Sequence, residues 1–188
     1  MMSNVMRTVV WKCLFEPGLE FFALRETADG WQLAGTVVAV RDEQPLRVDY
    51  RVDCSADWRT RRVELTMSSG ADGRELALRV DDAGAWCSGD DRLGELSGFV
   101  DVDLGITPAT NTLPIRRLSL AIGASAAVSA TWIQFPSLVI GPLSQHYTRL
   151  AERRYRYESD TGFECVLDVD QHGLVTHYPD GWEMIAGS

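Results

Sequence analysis

Asp101 and Asp103, spaced i, i+2, open the stretch of this chain richest in groups that could do chemistry. In a strand, alternate residues share a face and lie about 6.5–7 Å apart. That is close to the separation of the two carboxyl groups that flank a scissile glycosidic bond. Converging on one cavity they would repel, raising one pKa and supplying a general acid. The outcome would be a hydrolase acting on a sugar or an ester. The competing reading, which the sequence favours, is that both carboxylates bind Arg116, Arg117 or backbone amides and fix a loop. That loop follows at once: Thr107-Pro-Ala-Thr-Asn-Thr-Leu-Pro-Ile-Arg-Arg-Leu118. Its hydroxyl and amide side chains, Thr107, Thr110, Asn111 and Thr112, bond back to the backbone and set turns. Pro108 and Pro114 fix φ at two points and lower the entropy of the unfolded segment.

Other chemistries find little support. Gly123-Ala-Ser125-Ala-Ala127 starts like a nucleophile elbow but ends in Ala127 and lacks the strand-to-helix setting. His146, His172 and His177 have no acidic or Cys partner at ligand spacing, so no zinc site is expected. Asp168-Val-Asp170 imitates the start of a calcium loop, but Pro179 stands where the bidentate Glu belongs. Neither a dinucleotide fingerprint nor a phosphate loop is present, and no cofactor or metal is expected.

Aromatic side chains are a second resource. Trp11, Trp31, Trp58, Trp86, Trp132 and Trp182 could stack on sugar rings or cover acyl chains, although most will be core. Trp58 stands out beside Arg59, Arg61 and Arg62. In a strand Arg61 and Arg62 face opposite ways, and an inward arginine needs a carboxylate or an anionic ligand, with Glu20, Asp101 and Asp103 as internal candidates. Gln145 and Tyr147 share one face if extended and could bond a ligand or close a polar network.

The elements that must position these groups read as strands. Period-two alternation with Gly-bearing turns gives Val5–Phe15, Glu20–Thr27, Trp31–Val40, Leu46–Cys54, Arg61–Ser69, Arg74–Val80 and Leu96–Leu104. Beyond the loop, alternating Leu118, Leu120 and Ile122 predict a strand that turns at Gly123 and returns through Val128 and Trp132. A short helix or turn is expected around Pro142–Leu150, then strands Arg154–Ser159, Phe163–Asp170 and Leu174–Tyr178. Leu118–Leu143 is apolar, but Ser119, Ser125, Gln134 and Pro136 interrupt it, so no transmembrane segment is expected. From Leu104 through Thr148 there is no Asp or Glu, and Arg116 and Arg117 are the only full charges. That is the pattern of a cavity wall with a polar mouth, or of a buried hairpin.

Length and charge narrow the class. The 188 residues suit one domain spanning 1–188. A net charge of -9 argues against nucleic acid and against anionic membrane surfaces. The scattered Cys13, Cys54, Cys87 and Cys165, and an N-terminus without signal-peptide character, point to reduced thiols in the cytoplasm. Oligomeric state is not legible.

The run Thr107–Leu118, with Asp101-Val-Asp103 ahead of it, resembles the hallmark of a bacterial family named "putative glycolipid-binding", formerly a domain of unknown function. The resemblance recurs at Trp58-Arg-Thr-Arg-Arg62, Gln145-His-Tyr147 and Gly173-Leu-Val-Thr-His-Tyr-Pro179, and so covers nearly the whole chain. Ala109 departs from it, standing where a bulky aromatic is expected. The resemblance implies a spiral β-roll. The expectation is an all-β, mainly antiparallel domain, a roll or curled open barrel with at most one or two short helices. Its mouth or interior would hold an amphipathic ligand such as a glycolipid. Strands within Leu118–Ile140 would take the acyl part, and the motif, with Asp103, Asn111, Arg116 and Arg117, the head. Trp58, Arg61, Arg62, Thr110, Thr112, Gln145 and Tyr147 complete the candidate ligand-binding set. Beside the hydrolase stands a third reading, a scaffold with a filled interior and an apolar surface patch.

Overall fold

Alternation of apolar and charged residues is plainest in β4 (Gln44–Ser55), and the computed structural model turns it into two faces. Leu46, Val48, Tyr50, Val52 and Cys54 are buried, while Arg47 pairs with Asp49 and Arg51 with Asp53 on the other side. The structure describes residues 4–188. Around β4 run β1 (Asn4–Cys13), β2 (Gly18–Thr27), β3 (Gly30–Arg41), β5 (Thr60–Ser69) and β6 (Asp72–Val80), then the short β7 (Trp86–Ser88) and β8 (Asp91–Arg92). A second series comprises β9 (Asp101–Leu104), β10 (Ser125–Ile133), β11 (Ile140–Ala151), β12 (Arg154–Ser159), β13 (Glu164–Val169), β14 (Val175–Tyr178) and β15 (Trp182–Gly187). All belong to one 15-stranded sheet in which β1 pairs antiparallel with β15, so two meanders are sewn together along the chain's first and last strands. Among the described residues only β9 against β10 is parallel.

The sheet curls but does not close, leaving β8 and β9 as its free edges. The amide of Thr60, at the start of β5, donates to Val100 O at 2.9 Å, so the approach to β9 lies against the middle of the first meander. The motif then turns inward. Leu104, Ile106, Ala109 and Leu113 share one apolar cluster with Trp11, Phe22, Leu33, Val48 and Val63. The motif therefore plugs the roll, and Ala109, with no exposed surface, packs in that plug. A smaller cluster around Tyr147, Tyr155, Tyr157 and Leu167 lies beside it.

Two expected elements are corrected. The strand starting at Leu118 is instead the end of helix α1 (Thr112–Leu118), which follows a 3₁₀ turn at Ala109–Asn111. Pro114 falls in its first turn, where a missing N–H costs nothing, and Leu113 and Ile115 are buried against the roll. Ser119, at φ 44, ends it, with its amide donating to Ile115 O. The helix or turn expected around Pro142–Leu150 is strand β11, whose buried Leu143, Gln145 and Tyr147 keep period two. Pro142 is tolerated because it precedes Gln145, where pairing with β12 begins. Leu96–Leu104 shortens to β9, and β15 was not anticipated. The expected acyl wall, Leu118–Ile140, is not one surface: it spans the helix end, an exposed turn with Ile122, and β10. Among the described residues no helix is long and apolar enough to cross a membrane.

Candidate ligand-binding cleft

The alternation of β9 splits the motif's entry into two faces. Val102 and Leu104 enter the main apolar cluster, and Asp101 and Asp103 point the other way. Their fates differ. Asp101, 1% exposed, receives Arg117 Nε at 3.1 Å and Nη2 on its other oxygen, a bidentate pair. Burial pushes its carboxyl up, and the Arg117 guanidinium pulls it back. Asp103 instead lines an open cleft and is held by Gln145, whose Nε2 donates to Oδ2 at 2.5 Å and to Tyr157 Oη at 3.2 Å. Burial raises the Asp103 carboxyl to about 6 against that hydrogen bond.

The cleft encloses about 410 Å³. Asp103, Thr107, Asn111, Ser159, Thr161 and Asp180 supply its polar side, and Phe15, Trp132, Tyr157, Phe163, Tyr178 and Trp182 its aromatic side. Tyr157, Phe163 and Tyr178 form a chain of tilted rings with centroids 6.1 and 5.8 Å apart. Phe15 and Phe163 stand at the rim, 57% and 43% exposed. Asn111 is fixed from both ends: its Oδ1 accepts from Tyr147 Oη at 2.8 Å, and its Nδ2 donates to Pro108 O at 3.2 Å.

Behind Thr107 lies a carboxyl with no solvent access. Glu20, 0% exposed, accepts from Tyr50 Oη at 2.5 Å and meets Thr107 Oγ1 at 2.7 Å. Tyr50 Oη and Thr107 Oγ1 are themselves 3.3 Å apart. Burial raises Glu20 to about 8, so it is protonated at neutral pH. A neutral carboxyl lets the three groups form a closed ring: Tyr50 donates to Glu20, Glu20 to Thr107, and Thr107 to Tyr50. Thr107 also accepts from the Ala109 amide at 3.0 Å, tying the ring to the motif.

The expected site residues therefore separate. Asp103, Asn111, Gln145 and Tyr147 come together at or directly behind the cleft. Thr110 and Thr112 act on backbone, Thr110 Oγ1 accepting from the Leu104 amide and Thr112 Oγ1 donating to Gly173 O. Trp58, 6% exposed and at φ 65, is stacked on Trp31 at 4.5 Å, with the Arg116 guanidinium 5.2 Å from its ring. Arg61 and Arg62 are both exposed, Arg62 pairing with Glu64. Arg117 is committed to Asp101. The rings of Phe15, Tyr157, Phe163 and Tyr178 were not singled out from sequence. Tyr157 and Phe163 flank the β12–β13 turn, whereas Phe15 and Tyr178 arrive from segments far apart in the chain.

The calcium-like pair is used locally. Asp168 pairs with Arg154, and Asp170 with Arg7 and the amides of His172 and Leu174. No group of His, Cys, Asp or Glu among the described residues could hold a metal ion.

Comparison with known proteins agrees with this architecture. A crystal structure of a DUF1089 family protein from Pseudomonas aeruginosa superposes with a TM-score of 0.76 at 38% identity, covering 85% of this chain and 89% of that one. No curated protein matches. A family model described as "Putative glycolipid-binding" matches residues 8–184, and the chain belongs to that family.

Proposed function

We propose that this chain binds an amphipathic ligand of the glycolipid class, with the sugar seated in the Asp103 cleft. One observation carries this: a tethered carboxylate faces a wall of aromatic rings in a cleft open to solvent. Sugars present apolar C–H faces that stack on aromatic rings, and hydroxyls that donate to carboxylate and amide oxygens. Gln145 and Tyr147 would then be positioning residues, holding Asp103 and Asn111. The exposed rings of Phe15 and Phe163 would meet the acyl part at the rim, because the motif fills the roll behind it. The hydrolase reading is weaker, since Arg117 engages Asp101 and leaves one carboxylate of the pair at the cleft.

Native mass spectrometry of the purified protein, followed by solvent extraction, tests for a carried lipid. Calorimetric titration with an alkyl glycoside, beside the free sugar and the matching alkyl alcohol, tests the cleft. The alkyl glycoside should bind most tightly, and Asp103→Asn should weaken it about tenfold, the loss of one charge-assisted hydrogen bond. Equal affinity in wild type and Asp103→Asn would sink the assignment.

A further inference from the structure

The C-terminal end of α1 borders a second cleft, of about 310 Å³, between the helix, the β11–β12 hairpin and the loop after β13. Arg116, Arg149 and Arg153 line it. In this acidic chain most arginines contact a carboxylate, yet among the described residues these three do not. Arg116 is held in place: its guanidinium lies over Trp58, and its stem rests on Gly173, where an added Cβ would come within 3.1 Å of Cδ. Arg149 is also fixed, its Nε donating to Ala151 O at 3.3 Å, its Nη1 to Leu120 O at 2.7 Å and its Nη2 to Glu152 O at 2.6 Å, with its guanidinium 5.7 Å from the Tyr155 ring. Those carbonyls satisfy donors without neutralising the charge. The Tyr155 hydroxyl feels both Arg149 and Arg116, which oppose the rise that burial imposes on it. Two carboxylates border the cleft. Asp170 is paired with Arg7, and Glu152 stands exposed on the hairpin turn.

We propose that this cleft is a second ligand site, taking a tetrahedral oxyanion, a phosphate monoester or inorganic phosphate, on Arg116, Arg149 and Arg153. Planar guanidinium forks match phosphate oxygens bidentately, and two of the three are already fixed by stacking or backbone contacts. The volume exceeds that of a bare phosphate and leaves room for an esterified group. The site is independent of the Asp103 cleft.

The test is titration with inorganic phosphate at constant ionic strength, read on the arginine Nε–Hε NMR signals. Saturable shifts at Arg116 and Arg149 are expected. Arg153→Gln, at an exposed position, should weaken binding about tenfold, and Glu152→Gln should tighten it about twofold by removing a like charge. Asp103→Asn should leave it unchanged, so failure here differs from failure of the sugar cleft. Flotation with vesicles containing phosphatidic acid distinguishes the source. Capture that Arg153→Gln abolishes assigns a lipid headgroup, whereas phosphate shifts without capture assign a soluble phosphate. Shifts matched by chloride, or unchanged in Arg153→Gln, with no vesicle capture, would overturn the proposal.

Discussion

Replacing Glu20 with Gln isolates the energetics of the buried carboxyl behind the cleft. With a folded pKa of about 8 against the ordinary carboxyl value of 4.5, Glu20 keeps its proton in the folded state and loses it on unfolding over that interval. Fewer protons bound to the unfolded state mean that stability falls as pH rises, from about 4.5 until the folded carboxyl ionises near 8, and is flat beyond. Between pH 5 and 8 the loss is about 4 kcal/mol, three pH units at about 1.4 kcal/mol each. Gln does not titrate. It can still accept from Tyr50 and donate to Thr107, but one amide hydrogen is left without a partner, at about 1–2 kcal/mol. The two stability curves should therefore cross near pH 6, with the variant weaker at pH 5 and stronger at pH 8. Asp103, raised to about 6, adds its own slope, which cancels in the difference between the two proteins. Urea unfolding at half-unit pH steps measures this directly. Parallel curves for wild type and Glu20→Gln would refute the protonated ring.

Three further outcomes follow from the geometry. Gly35→Ala should cost more than about 2 kcal/mol by overpacking, because its Cβ would lie 2.6 Å from Tyr50 Cε1 and 2.7 Å from Glu20 Oε1; chemical denaturation measures it. Arg117→Gln strands the buried Asp101 charge and should cost about 3 kcal/mol at pH 7, with most of the loss recovered by adding Asp101→Asn; thermal melts of the three variants test this. Alkyl glycoside affinity should fall as pH drops through about 6, where Asp103 takes up its proton, and the Asp103→Asn variant should show no such step.

The sheet was largely legible because period two survives wherever one face of a strand is buried. From β2 to β6 the expected strands lie within the observed ones. The motif was misread at its end for a physical reason: Leu118, Leu120 and Ile122 alternate by type, yet Leu113 and Ile115 bury themselves as a helix against a core built by distant strands. β11 is a strand because Leu143, Gln145 and Tyr147 alternate into the roll, and two of these three buried residues are polar or carry a hydroxyl, which blurs the apolar pattern in the sequence. Within the site, Asp103, Asn111, Gln145 and Tyr147 were readable as polar residues at suggestive spacing. The aromatic wall was not: Tyr157 and Phe163 flank one hairpin turn, but Phe15 joins them only through the curl of the sheet. Trp58 attracted notice for its arginine neighbours, and one arginine does lie over its ring, but that arginine is Arg116 from the motif.

The pairing of β1 with β15 constrains the order in which the molecule can assemble. Val9 meets Gly187 and Cys13 meets Trp182, contacts separated by nearly the whole sequence. During synthesis β1 can pair with β2 at once, but its other edge has no partner until the last strand emerges. Until then Val9 and Trp11, both buried in the finished roll, lie along an open edge. Closing so long a loop is entropically costly before the contacts that reward it exist. The seam is therefore expected to form late and slowly, and chains stalled before Trp182 would offer β1 to one another.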